Sequence, residues 1–163
     1  MRLAVVSDTH GHVSSTKAAV RLLAAQDVEA VVHCGDIGSP AIIPLFAPWP
    51  AHFVFGNGDF KEAALRRAIG SCDGICLERG GELELGGKRI AVAHGDSAAE
   101  IRRLAAAKPD YLMFGHSHVA TDEREGPTRW INPGALHRAS TWTVALLDLD
   151  SDVLTMLRIR NSG

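Results

Sequence analysis

Residues 2–10 read RLAVVSDTH: a short apolar run from Arg2 to Ser7 passes without a break into Asp8, Thr9 and His10. The apolar half reads as a buried strand and the polar half as the loop at its carboxyl end. The same junction recurs along the chain. Ala30–Cys34 runs into Gly35-Asp36, and His52–Phe55 into Gly56-Asn57-Gly58-Asp59. Ile90–Ala93 runs into His94-Gly95-Asp96, and Tyr111–Phe114 into Gly115-His116-Ser117-His118. In α/β sheets ligand sites form at the carboxyl ends of strands, so these loops can converge on one rim. The glycines let the backbone turn sharply there and come close to a ligand.

Outward from these junctions, helices are expected from Ser14 or Ser15 to about Gln26, after Ser39-Pro40, over Phe60–Ile69 and over Ala98–Ala107. Pro at a first helical position and Asp96-Ser97 ahead of Ala98 are helix-start signals. Gly86-Gly87 separates Glu82–Leu85 from Lys88–Ala93 as a hairpin. Arg129–Asn132, Trp142–Leu149 and Val153–Arg160 complete the strands. Alternating strand and helix followed by hairpins predicts an α/β fold with mixed sheets, the last part antiparallel.

Composition closes several doors. At 163 residues the chain is expected to be one domain over 1–163, and it is too short for an eight-stranded α/β barrel. Hydrophobic residues at 46% and charged residues at 22% argue against disorder. A net charge of −2 gives no global pull toward nucleic acid or acidic membranes, and neither is expected as a partner. Cys34, Cys72 and Cys76 lack C-x-x-C spacing, and the opening residues lack a signal sequence, so a reducing cytoplasmic setting is expected. The most apolar stretch, Ala41–Phe55, holds Pro44, Pro48 and Pro50 and falls short of a membrane span. Its four aromatics exceed what one short helix and strand can hide, which predicts a homo-oligomeric contact.

Seven loop residues have metal-ligand chemistry: Asp8, His10, Asp36, Asn57, His94, His116 and His118. An N/O set without thiolate suits manganese first, with zinc, iron, cobalt or nickel as alternatives. Seven ligands overfill one tetrahedral ion and suit two ions sharing a carboxylate. Two ions about 3.5–4 Å apart clamp the attacking and leaving oxygens of a displacement at phosphorus, and a bridging water is acidified to hydroxide. Two divalent ions, two carboxylates and one hydroxide leave a net positive site that attracts a phosphate anion.

The series D-x-H, GD, GNxD, HGD and GHSH resembles the calcineurin-like metallophosphoesterases. The compact length is similar to their small bacterial and archaeal phosphodiesterase branch, related to the retromer subunit Vps29. Asn132-Pro133-Gly134-Ala135 resembles a turn found after GHxH there. The resemblance implies a four-layer αββα sandwich, two mixed sheets flanked by helices, with a dimetal site at the strand carboxyl ends. It implies one metal on Asp8, His10, Asp36 and His118 and a second on Asp36, Asn57, His94 and His116, with Asp36 bridging. Asp36, Asn57, Asp59 and His12 are the implied catalytic set, Asp59 orienting a ligand or a water. Asn57, His94 and His12 are candidates for substrate contact. The implied activity is hydrolysis of a small phosphoester, a diester before a monoester. The alternative is a non-catalytic scaffold of the Vps29 kind.

Larger members carry a His after the metal-binding Asn, to protonate the leaving group; here that position is Gly58. His12 is a candidate source of the missing proton, with a solvated loop histidine as the plain alternative. His137-Arg138 is a candidate for phosphate contact. His33 and Cys34 read as core, Asn132 as a turn residue, and Phe46, Trp49, Phe53 and Phe55 as core.

Overall fold

The computed structural model describes residues 1–160. Two sheets stack face to face. Strands β1 (Arg2–Val6), β2 (Ala30–His33), β3 (Ala51–Phe53), β4 (Ile75–Cys76), β10 (Trp142–Asp148) and β11 (Val153–Ile159) form a six-stranded sheet in the order β11-β10-β1-β2-β3-β4. The second sheet takes β5 (Gly80–Leu85), β6 (Lys88–Ala93), β7 (Tyr111–Met113), β8 (Thr121–Glu125) and β9 (Thr128–Asn132) in the order β5-β6-β7-β9-β8. Both sheets are mixed: β1, β2, β3 and β4 run parallel, β6, β7 and β9 run parallel, and hairpins flank them.

The period-2 alternation of each strand divides the apolar residues among three cores. Leu3, Val5, Ala30 and Val32 of the first sheet meet Ile90, Val92, Tyr111 and Met113 of the second in the central core. Ala4, Val6 and Val31 point the other way, to α1 (Val13–Ala24), α2 (Glu62–Ser71) and a 3₁₀-helix over Pro40–Phe46. Ala91, Ala93 and Leu112 face α3 (Ala98–Ala106) through Leu104 and Ile101. Helices, sheet, sheet, helix make the expected four layers.

Within Ala41–Phe55, residues Ile42, Ile43, Phe46, Phe53 and Phe55 are buried against α1 and α2, and Trp49 packs on their edge. Each such side chain is worth about 1.5–3 kcal/mol when buried. Three of the four aromatics behind the homo-oligomer expectation are thus buried in the chain's own core, and Trp49 is half-buried.

The helix expected to be capped by Ser14 or Ser15 begins at Val13, with its cap two to three residues earlier than those serines. His12 is its N-cap, its Nδ1 accepting from the Ser15 amide at 3.4 Å. The helix expected from Phe60 begins at Glu62, leaving Phe60 almost fully exposed. No helix among the described residues is long and apolar enough to cross a membrane.

Candidate metal centre

The parallel strands carry their carboxyl ends to one rim, and the predicted ligands stand there. Asp8 and His10 follow β1, Asp36 follows β2, Asn57 follows β3, His94 follows β6, and His116 and His118 follow β7. Five of the seven have a left-handed backbone: Asp8, His10, Asp36, His116 and His118, with φ from 46° to 69°. Non-glycine residues rarely adopt this conformation, which costs on the order of 1–3 kcal/mol and collects at functional sites. The loops are bent to aim these side chains.

Two groups of ligand atoms result, each within 4.8 Å: Asp8 with His10 and His118, and Asp8 with Asp36 and His94. Asp8 Oδ1 lies 3.1 Å from His118 Nε2, 3.8 Å from His10 Nε2 and 3.9 Å from His94 Nε2. Asp36 turns Oδ2 to His10 Nε2 at 3.7 Å and Oδ1 to His94 Nε2 at 3.5 Å. His116 is exposed and meets His94 edge-on, ring centroids 5.1 Å apart. Asn57 is exposed on the Gly56–Gly58 turn and stands outside both groups.

Hydrogen bonds behind the site fix which nitrogen faces inward. His94 Nδ1 donates to the Cys34 carbonyl at 2.9 Å and His118 Nδ1 to the Arg138 carbonyl at 3.0 Å. Carbonyls only accept, so each Nδ1 carries the hydrogen and each Nε2 presents a lone pair to the centre. The lone pair of His118 then faces His10 Nε2 at 3.2 Å as well as Asp8. Asp8 Oδ1 and His94 Nε2 are buried and have no hydrogen-bond partner. Acceptors aimed at one another in a dry site repel unless a cation stands between them. The donor set fits divalent metal ions.

Opposite charges set the electrostatics of the centre, and the raised pKa of His94 means that a metal must displace a proton there. Burial raises the Asp36 pKa, but His94, the Gly58 amide and His10 outweigh it and bring the carboxyl to about 2. Burial lowers His94, and Asp36, Asp8 and the Cys34 carbonyl overcome it, so its pKa lies above the usual value. Burial lowers His10 despite Asp36 and Asp8, favouring the neutral ring that a metal requires.

Supports behind the ligands hold the rim. Asn132, read as a turn residue, is fully buried. Its amide donates to the Gly115 carbonyl at 2.9 Å and to Ser117 Oγ at 3.0 Å, and its Oδ1 accepts from the Gly134 amide. The turn after β9 thus props the loop of His116 and His118. Asp59 is buried and accepts from the Ile37, Gly38 and Gly56 amides, tying the loop of Asp36 to that of Asn57. Burial raises its pKa against those three amides. Gly115 packs so tightly that a Cβ would stand 1.9 Å from Ser7 Oγ, and Ser7 in turn donates to Asp8 Oδ2 at 2.6 Å. The repeated Gly-polar junction could have flagged Gly115; nothing local marks Asn132, whose partners lie 15 and 17 residues away.

His33 is the core histidine expected. It accepts from the Gly35 amide at Nδ1 and pairs Nε2 with Thr9 Oγ1 at 3.0 Å. Burial, then His94, lowers its pKa to about 3, with Asp36 opposing. Below its ordinary pKa near 6.5 the unfolded chain binds a proton that the folded chain refuses. Stability is therefore fully present above pH 6.5 and falls as pH drops toward 3, at up to about 1.4 kcal/mol per pH unit. Urea melts of metal-free protein at stepwise lower pH should show this slope, and His33→Gln should flatten it. An unchanged slope in the variant would assign the acid lability to other groups.

His12 has its Nδ1 committed to Ser15, and its ring stacks on His137 at 4.5 Å and 12°. The pair lies beside the centre, His137 being 6.2 Å from the His10 ring.

A calcineurin-like phosphoesterase superfamily domain matches residues 1–152. The chain belongs to that superfamily. It is 24% identical to Phosphodiesterase MJ0936 of Methanocaldococcus jannaschii, covering 92% of this chain and 94% of that protein. A solved structure of an archaeal phosphodiesterase superposes with a TM-score of 0.88 at 23% identity, over 97% of this chain and 99% of the other. The zinc complex of Entamoeba histolytica Vps29 superposes at 0.64 and 16% identity, over 100% of this chain and 95% of the other. Superfamily membership makes the chain a hydrolase of phosphoesters that uses divalent metal ions.

Proposed function

We propose that this chain is a dinuclear phosphodiesterase of the cytoplasm, hydrolysing a small phosphodiester, with manganese as its first-choice metal. Asp8, His10, Asp36 and His118 would hold one ion, and Asp36, Asn57, His94 and His116 the other. A bridging role for Asp36 is supported by its two oxygens, one toward His10 and one toward His94. The observation that carries the reading is the buried, partnerless pair Asp8 Oδ1 and His94 Nε2, 3.9 Å apart. Three free cysteines accord with a reducing compartment.

When bound, the ions supply charge neutralisation at phosphorus and a hydroxide nucleophile at neutral pH. The chain supplies the rest. The Cys34 and Arg138 carbonyls hold His94 and His118 in the metal-ready tautomer. The Gly58 amide anchors Asp36 Oδ1 at 2.6 Å. Asp59 positions the two loops, and Asn57, exposed on its turn, and His94 would meet the ester. The Vps29-like scaffold reading leaves this ligand set without a task.

The test is to strip the protein and reload it with manganese, zinc, iron, cobalt or nickel, then assay matched monoesters and diesters. Turnover should return with metal, and diesters should lead. Melting adds an independent readout. Metal that binds only the folded chain adds ~2.7 kcal/mol at a hundredfold excess over Kd, or about 5–10 °C in Tm for a chain of this size. A melt that ignores confirmed metal removal would count against a centre built from these loops.

A further inference from the structure

Beside His118 opens a cavity of about 320 Å³, lined also by Val119, Ser140, Thr141 and Arg158. It adjoins a larger space of about 650 Å³ that shares Ser140, Thr141 and Arg158 and adds Arg160. A third hollow of about 290 Å³ again shares Arg158 and Arg160 and adds Arg21. Arg158 lines all three; the first two form a groove that starts at His118, and the third lies against α1.

The charge along it is unbalanced. Arg2, Arg66, Arg79, Arg89, Arg103, Arg124 and Arg129 each have a carboxylate within 4.0 Å. Among the described residues, Arg21, Arg67, Arg102, Arg138, Arg158 and Arg160 form no such pair. Two of those six, Arg158 and Arg160, line this groove, and Arg21 stands in the hollow beside it. In a chain of net charge −2 this is a local surplus of cation, not a general one. Guanidinium forks match the oxygens of phosphate, and each charge-assisted pair is stronger than a neutral one.

We propose that the groove binds a second phosphate of the substrate, carried on the arm of the ester that passes His118. The preferred substrate class is then a phosphodiester bearing a further phosphate, rather than a simple diester. Arg158 is the specificity-determining residue. This rests on the phosphodiesterase reading, with the metal centre taking the reacting phosphate.

The experiment compares α,ω-alkanediol bisphosphates of increasing spacer length with the matching alkyl monophosphates. Each is tested as a competitive inhibitor of bis(4-nitrophenyl) phosphate hydrolysis by the metal-loaded protein, and calorimetry reads the same binding without turnover. At one spacer length the bisphosphate should bind about tenfold tighter or better. Arg158→Gln should bring that ratio close to one, and Arg158→Lys should restore part of it. Equal affinities at every length, or a ratio indifferent to Arg158→Gln and to the Arg158→Gln/Arg160→Gln pair, would overturn the proposal. If no phosphoester is hydrolysed, the phosphodiesterase reading fails by itself, and the calorimetric ratio still decides the groove.

Discussion

Replacing Asp36 with Asn is expected to remove metal and turnover together. The carboxylate is the one group whose two oxygens face opposite histidines, His10 on one side and His94 on the other. An amide offers one acceptor and one donor, so whichever way it turns, its NH₂ confronts a histidine lone pair. It also lowers the negative charge that offsets two divalent ions. Losing a group that merely supports a ligand costs roughly 10–100-fold in metal affinity; losing a shared ligand should exceed that. Metal content by mass spectrometry, read beside activity and the far-ultraviolet spectrum, checks it. A folded variant with two bound ions and near-normal turnover would end the bridging assignment.

Alkyl esters are expected to lag far behind nitrophenyl esters. Expelling an alkoxide places negative charge on the leaving oxygen, and a positioned general acid relieves it by about 10²–10⁴-fold. Gly58 has no proton to offer, so rates should fall steeply as the leaving-group pKa rises. Gly58→His is a poor test of this, for a reason of contact rather than of backbone. A Cβ there would stand 3.0 Å from Asp36 Oδ1 and 3.1 Å from its carboxyl carbon, so a side chain would press on the ligand it was meant to assist and shift it by a few tenths of an ångström. The cleaner variants are His12→Asn, which keeps an N-cap acceptor while removing the titrating ring, and His137→Ala. A steep wild-type slope is the expected result. A shallow slope that steepens in either variant would make that histidine the donor, and one that survives both would show that the acid lies elsewhere.

Much of the fold and the site was legible because each strand announced itself by burial and each loop by its ligands. Leu3, Val5, Ile90 and Val92 are apolar for the central core, and the residues that follow them are polar because they leave it. What stayed hidden had no such signal. Strand β8 reads TDERE, with no apolar alternation; pairing from Thr121↔Asn132 to Glu125↔Thr128 makes it a strand. Its charges suit an edge, where they discourage further pairing. Strand β4 is two residues long and defined by its partner β3. The sequence points to Ser14 or Ser15 as the cap of α1, but the chain turns two to three positions sooner and uses His12, whose imidazole nitrogen accepts as a hydroxyl oxygen would. Asn57 and His116 carry ligand chemistry in the sequence, yet they stand exposed at the rim's outer side, where spacing alone gives no depth.

The strand that carries the first two ligands lies in the middle of its sheet, with β2 on one side and β10 on the other. A chain made from its amino end therefore exposes one edge of β1 until residues 142–148 have been synthesised. The supports come late as well: the turn from Asn132 to Gly134 and the carbonyl of Arg138 follow every ligand in order of synthesis. The rim around Asp8 and Asp36 is therefore complete only once the last hairpin is in place, although its ligands all lie in the first 118 residues.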